Sequence, residues 1–420
     1  MDKKKIGLAL SGGGYRAAAY HIGTLRALNR LGILDKVDVI SAVSGGSITA
    51  AYYALHKDNY EKFESSFIKK LQRGVLCSTI VYLLLLLSIS LLVASLVNWW
   101  LLIPEVIILL ICWYWILPVS CFIECSYNRL FFKNKKLSDL PQKPLVAINA
   151  TDVSNGKLYT FSQLKMGGYP YYKNGDNTQF TIAKAVMASS CVPFAFSPIK
   201  ISKKFCKEDT KTPILIDGGL YDNQGTHKLS TPKSLYHTDY IIVSDAGNTQ
   251  INSKWILNPI CLLIKTSDIM MDRIKRFQRY QNIYTRANPN RYAYVPLEWN
   301  IEERLIRGFV RNIIDGNIVE SLYYWHKISS DDINNLTNSD KEVSNNAFEN
   351  IVTTLKKSIG WENLYKRNPD KDSCEIARSV GTNLIKLKRK KIDALIRHAE
   401  ALAEIQVRLY LPEIIEPHYE

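Results

Sequence analysis

From Val75 to Val97 the chain reads VLCSTIVYLLLLLSISLLVASLV without one charged residue. About 20 apolar residues suffice to cross roughly 30 Å of hydrocarbon as a helix. A run so uniform has no polar face to turn toward water, so it predicts a membrane span. The bland alternative is a hairpin buried in a soluble core, but helices of soluble proteins are rarely apolar all round. A second run, Trp99 to Cys121, carries Glu105 as its one charge, and its Trp99, Trp100, Trp113, Tyr114 and Trp115 suit the two membrane interfaces. Lys69, Lys70 and Arg73 precede the pair and Arg129, Lys133, Lys135 and Lys136 follow it, while the Asn98-Trp99-Trp100 connection has no positive charge. The positive-inside rule then places both outer ends in the cytoplasm, with the bilayer engaged through residues 75–121. The N-terminal Met1-Asp2-Lys3-Lys4-Lys5 runs into a short apolar stretch rather than a long signal-peptide core, so no cleaved leader is expected.

Composition narrows the rest only in part. A hydrophobic share of 47% is ample for a core, and the net charge of +15 attracts anionic surfaces without separating nucleic acid from acidic lipid. No nucleic-acid recognition motif accompanies it, so no nucleic acid is expected as partner. The cysteines are scattered, several inside apolar runs, and no C-x-x-C pair occurs. Neither a zinc site nor a disulfide framework is indicated; a reducing compartment fits, and no metal or cofactor is expected.

The chemistry begins at the first turn. Ile6 to Leu10 is a short apolar run, Ser11-Gly12-Gly13-Gly14 follows, and Tyr15 to Leu31 has helical spacing through Ala18, Ile22, Leu25 and Leu28. A glycine turn opening a helix presents unpaired N–H groups to an anion, either a phosphate or an oxyanion. Gly12 to Ala17 formally matches G-x-G-x-x-G/A, but the second strand, Val37 to Val43, ends in Ser44 rather than in a ribose-binding acid, and no Walker lysine is present.

Val39-Ile40-Ser41-Ala42-Val43-Ser44-Gly45-Gly46-Ser47 places a serine between an apolar run and a helix expected from Ile48 to about Leu55. This is the pattern of a nucleophile elbow, with Ala42 where the first glycine is usual. The alternative is an ordinary Ser/Gly loop. Farther on, Pro213 to Gly219 reads as a strand ending in Asp217 before two glycines, Gly218 and Gly219; the carboxylate is either a base or a staple for its own loop. His227 and His237 keep the chain order of a Ser-Asp-His triad but read more simply as loop residues, and His21 as a packed side chain. Asn223 is expected to order the turn, with Asp222 at best a reserve base.

These motifs, in this order, resemble those of the patatin-like phospholipases: S-G-G-G-Y-R at Ser11 to Arg16, the elbow at Ser44, D-G-G at Asp217 to Gly219, and Ala188 to Pro198 as the A-S-x-x-x-P-x-x-F-x-P segment. The resemblance covers about Lys4 to Leu55 and Leu145 to Gly247, with the tail Arg378 to Tyr410 similar to bacterial members. Ala42 and Ala17 depart from the pattern without removing a reacting group. The resemblance implies an α/β fold, a three-layer α/β/α arrangement with a central mostly parallel sheet, interrupted here by an inserted two-helix transmembrane hairpin. It implies Ser44 as nucleophile, Asp217 as base, and Gly12, Gly13 and Gly14 with Gly45 as oxyanion hole. Arg16, Gly46, Gly218, Gly219 and Asn223 are expected to support them. Residues 1–72 and 128–250 are then two parts of one catalytic domain, 73–127 is the hairpin, and 251–420 is a mainly helical part packing on it.

The function this implies is a membrane-anchored hydrolase of lipid acyl esters acting on membrane phospholipid from the cytoplasmic side. Acyl transfer by the same dyad and an inactive lipid- or partner-binding module are its rivals. Among the remaining features, Lys386, Lys388, Arg389, Lys390 and Lys391 precede an amphipathic pattern from Ile392 to Leu409 and read as a solvated helix end, with anionic headgroups as second choice. Arg273, Lys275, Arg276 and Arg279 fall on a helix predicted from near Asp268 and are candidates to face the bilayer. The Asn/Asp/Ser-rich stretch Ser329 to Asn346 reads as an exposed loop.

Overall fold

Among the described residues ten short strands build one sheet: β1 (Ile6–Leu10), β2 (Val39–Val43), β3 (Leu145–Asp152), β4 (Lys157–Phe161), β5 (Lys165–Gly167), β6 (Lys173–Asn174), β7 (Ile199–Lys200), β8 (Ile214–Asp217), β9 (Tyr240–Asp245) and β10 (Arg291–Pro296). The computed structural model describes residues 4–168, 173–174, 179–206, 211–247, 259–283 and 291–415. The strand order is β10-β9-β1-β2-β3-β4-β5-β6, with β8 also on β3 and β7 on β8. From β10 to β3 every pair is parallel, and beyond β3 every pair is antiparallel. β10 comes from the expected helical C-terminal part, so that part contributes a strand to the sheet as well as helices.

The parallel strands alternate between two apolar faces, as the two-residue period of a strand requires. Leu8, Ile40, Ile148, Ile242 and Val295 enter the main core, while Ala9, Val39, Ala147, Ile241 and Tyr294 enter a smaller cluster on the other side. The main core is covered by helices: α1 (Gly14–Arg30), α2 (Gly45–Ala54), α3 (Tyr60–Leu71) and the long helix Arg389–Tyr410, which packs along α1. That last helix buries Ile392, Leu395, Ile396, Leu402, Ile405 and Leu409, so its amphipathic pattern faces protein, and Arg389 pairs with Asp393 at its exposed start. The opposite face carries a thinner cover that includes Leu229, Tyr236 and Trp299.

Between β2 and β3 the chain leaves the sheet. α4 (Cys77–Leu96) is followed by α5 (Leu102–Ile116), and the two lie antiparallel: the Tyr82 hydroxyl donates to the Ile116 carbonyl at 3.1 Å and the Ser90 hydroxyl to Glu105 Oε2 at 2.6 Å. α4 is the one described helix long and apolar enough to cross a membrane, with mean hydropathy 2.5 over Thr79–Leu96 and 11% of that window buried. The second expected span is not continuous. α5 has 15 residues with non-helical backbone at Cys112, a length of about 22 Å at 1.5 Å per residue. The chain then turns at Pro118 into α6 (Val119–Tyr127), which packs on α7 (Ile182–Ser189). Cys121 therefore belongs to the globular part, because Pro118 cannot continue the preceding helix.

Two further expectations are corrected. Ser329 to Asn346 is not a loop: helices Ser330–Asn335 and Lys341–Ile359 occupy most of it. Its polar residues are start signals, with the Ser329 side chain accepting from the Asp331 N–H and Asp340 from the Glu342 N–H. The helix expected from near Asp268 spans Pro259–Ile283, and within its basic cluster Lys275 is buried against Asp245 at 3.0 Å while Arg279 pairs with Glu298 at 3.3 Å. Those two cations face the protein, because two acidic side chains wait there.

Candidate active site

Ser44 and Asp217 meet because two strands share one edge of β3. β2 pairs with Leu145 to Asn149, β8 with Ala150 to Asp152, and β4 takes the other edge across Ile148 to Asp152. β8 thus enters the slot that β2 leaves, running in the opposite direction, and the two strand ends abut. The residue after Val43 is Ser44 and the last residue of β8 is Asp217. The Ser44 side chain lies beside the Asp217 carboxylate and favours its ionised form, and the carboxylate Oδ1 accepts from the Gly219 N–H at 2.7 Å. The Asp217 main chain is fixed too, its N–H donating to the Cys191 carbonyl at 2.8 Å and its carbonyl accepting from the Thr151 hydroxyl at 2.9 Å.

Ser44 is a true elbow. Its φ of 49° and ψ of −120° lie in a region that L-residues avoid, a strain of about 1–3 kcal/mol that the surrounding packing must hold. α2 begins at once at Gly45, three residues earlier than the sequence pattern suggests, so the elbow serine sits at the helix N-terminus. Gly45 permits this closeness: a Cβ there would lie 2.1 Å from the Gly14 carbonyl oxygen. The glycine loop after β1 is consequently stacked main chain to main chain on the elbow, and Gly46 N–H donates to the Ser11 carbonyl at 3.2 Å.

This stacking sorts the expected oxyanion donors. The Gly12 N–H, expected as a donor to an oxyanion, donates to the Asn223 carbonyl at 2.9 Å, so it is already engaged and tethers the loop. The N–H groups of Gly13, Gly14 and Gly45 have no acceptor among the described residues. Gly13 and Gly14 adopt φ of 139° and 58°, which a side chain would strain, and α1 starts at Gly14. The next N–H, that of Tyr15, donates to the Asn383 carbonyl at 2.9 Å. Arg16 is buried, holding the Val380 carbonyl at 3.2 Å. Gly218 N–H donates to the Ser189 carbonyl at 3.3 Å.

Ser189 was not singled out for a role by its sequence, although it opens the A-S-x-x-x-P segment. It ends α7, fully buried, and its hydroxyl donates to the Asn149 carbonyl at 2.6 Å. That leaves its oxygen to accept from the Ser44 N–H at 2.8 Å and from the Ser47 hydroxyl at 2.9 Å. Asn149 is itself held by Ser41 and Thr160. One hydroxyl thus ties the elbow to the strand that registers Asp217.

Burial pushes the Asp217 carboxyl up to about 6, against the pull of the Gly219 N–H and the Ser44 hydroxyl, which favour the ionised form. Such a carboxylate is a stronger base than a solvated one. No described histidine hydrogen-bonds either member of the pair. His21 is buried between the Ser11 carbonyl and the Ser244 hydroxyl, and burial lowers it to about 4. His227 lies against the Tyr221 ring. Asp222 is consumed by its loop, accepting from the N–H groups of Gln224, Gly225 and His227 at 3.1, 3.1 and 2.7 Å. Among the described residues no cluster of histidine, cysteine and acidic side chains could hold a metal ion.

Fold and site together define an α/β protein with a glycine loop and an elbow serine at the carboxyl ends of parallel strands and a carboxylate at the end of an antiparallel one. The family model of the patatin-like phospholipases matches residues 8–229. The chain belongs to the patatin-like phospholipase family. Among solved structures it is similar to human GIVD cytosolic phospholipase A2 in complex with methyl gamma-linolenyl fluorophosphonate and terbium chloride, at 12% identity and TM-score 0.45, over 96% of this chain and 58% of that one. A second structure of the human enzyme matches at 15% identity and TM-score 0.36, over 58% of this chain and 44% of that one. VipD from Legionella pneumophila matches at 12% identity and TM-score 0.33, over 96% and 92% of the two chains. The chain thus spans less than two thirds of the human enzyme in both structures. No curated protein matches it.

Proposed function

We propose that this protein is a membrane-anchored serine hydrolase that cleaves acyl esters of phospholipids from the cytoplasmic side. The observation that carries the reading is an elbow serine, Ser44, set beside the buried Asp217 carboxylate, in a site whose glycine loop leaves the N–H groups of Gly13, Gly14 and Gly45 without an acceptor among the described residues. Ser44 Oγ attacks the ester carbonyl carbon while Asp217 takes its proton. The carbonyl oxygen becomes an oxyanion held by the three N–H groups, each of the kind whose loss typically raises the barrier by about 2.7–4 kcal/mol. The intermediate collapses, and the alcohol half of the lipid leaves with the proton from Asp217. Water then attacks the acyl-serine, Asp217 accepts the water's proton, and breakdown of the second intermediate releases the fatty acid and returns the proton to Ser44. Family membership supports a lipid ester as substrate, and α4, apolar and largely uncovered, supports a bilayer location.

The test is fatty-acid release from phospholipid vesicles by the purified full chain. Wild type is expected to be active, and Ser44→Ala and Asp217→Ala to lose roughly 10⁴-fold or more in kcat while remaining folded. Release that survives Ser44→Ala overturns the reading.

A further inference from the structure

The helix Pro259–Ile283 turns a stripe of large apolar side chains away from the protein. Its inward side carries the cation Lys275, paired with Asp245 and Glu298. Its outward side carries Leu262, Leu263, Ile269, Met270, Phe277 and Tyr280, each 47% to 64% exposed. Their spacings of one, three, seven and eight residues keep them on one helical stripe. Along the same stripe stand the exposed Arg273 and Arg276, with Lys265 at its margin. The helix spans about 37 Å at 1.5 Å per residue, and it packs on the short helix Gly219–Asp222 that directly follows Asp217.

We propose that this helix lies in the plane of an anionic membrane surface, its apolar stripe among the lipid chains and its arginines on the headgroups. Interleaved large apolar and basic side chains are what an interfacial helix presents, and the basic groups select anionic lipid. A partner protein with an acidic, apolar groove has the same charge pattern, but α4 brings a bilayer to this chain, whereas nothing brings such a partner. The inference rests on the reading of α4 as membrane-embedded for the position of the bilayer, and not on hydrolysis. Its functional content is that the helix beside Asp217 is itself a lipid contact, so the site opens at headgroup level.

The full chain, carrying benzoylphenylalanine in place of Met270, is reconstituted into vesicles and illuminated, with the same replacement at Leu87 of α4 and at the exposed Tyr324 as controls. Phospholipid adducts are expected at positions 87 and 270 and not at 324. Adding about 30 mol% phosphatidylglycerol to phosphatidylcholine should raise the yield at 270 roughly thirtyfold, the scale set by two basic groups at about 1 kcal/mol each near an anionic surface, and Arg273→Glu with Arg276→Glu should abolish the increase. Adducts at 87 without adducts at 270 overturn this inference alone. Loss at both overturns it together with the membrane reading of α4, and a crosslink from 270 to a second copy of the chain replaces the lipid by a dimer contact.

Discussion

Val43 and Asp217 occupy the same edge of β3, where they pair with the consecutive residues Asn149 and Ala150. The dyad is therefore fixed by strand register rather than by loop packing. A one-residue slip of β8 would turn Asp217 to the other face of the sheet, away from Ser44.

In the proposed mechanism, burial of Asp217 sets the acid limb of activity. The base must be ionised to accept the Ser44 proton, and its carboxyl is raised to about 6. We expect kcat/KM for a soluble ester to rise with pH through an apparent pKa near 6 and to level off above it. A limb near 4 in the pH profile would contradict the buried base.

The same burial makes Asp217 costly to stability. The unfolded carboxyl loses its proton near 3.8 and the folded one near 6, so between these values the unfolded state binds fewer protons and stability falls as pH rises. Asp217→Asn is expected to raise the unfolding free energy by about 1–3 kcal/mol at pH 8 and to change little at pH 3. Urea melts of both proteins at the two pH values measure it.

Ser189→Ala leaves the Ser44 N–H and the Asn149 carbonyl without their hydroxyl partner in a dry setting. We expect a loss of about 1–3 kcal/mol in stability and a fall in kcat with little change in KM, since the elbow loses its tether and no group that holds lipid is touched. Ser189→Thr, which keeps the hydroxyl, should recover part of kcat. Equal losses in the two variants would argue against the tether.

Lys275 and Asp245 form a buried pair. Burial alone would raise the Asp245 carboxyl, but Lys275, the Tyr294 hydroxyl and the Gly247 N–H hold it well below the usual carboxylate range. Lys275→Ala strands a buried charge and should cost about 3–5 kcal/mol, whereas Lys275→Met combined with Asp245→Asn should cost much less. Thermal melts of the two variants in detergent separate pairing from packing. The contribution of the pair to wild-type stability is present above the unfolded carboxylate value and is lost as pH falls below it.

The parts of the site that could be read in the sequence are those whose chemistry forces a rare local pattern. Gly13 and Gly14 need positive φ, Gly45 needs contact with another main chain, and a serine between a strand and a glycine pair has few structural uses. The parts that could not be read act through common residues. Gly12 looks like its neighbours, and only the Asn223 carbonyl distinguishes a tether from a donor. Ser189 is one small hydroxyl whose partners are 145 and 40 positions away. Polarity misleads between Ser329 and Asn346 because capping residues and loop residues are the same types. The inward turn of Lys275 depends on Asp245, an acid at the end of a strand remote in sequence, so no helical period announces it.

The insertion between β2 and β3 also bears on how the site is assembled. Parallel neighbours need a crossover, and here α4 and α5 are part of it. In a bilayer setting, the nucleophile is synthesised before the lipid-embedded segment and the base after it, so sheet closure must wait until the chain has come back to the side it left. A copy whose hairpin fails to return has β2 and β3 on opposite sides of the membrane and no Asn149 beside Val43. On the proposed reading, the pairing of Ser44 with Asp217 would thereby become a by-product of correct topogenesis, and no copy would ripen in the wrong place.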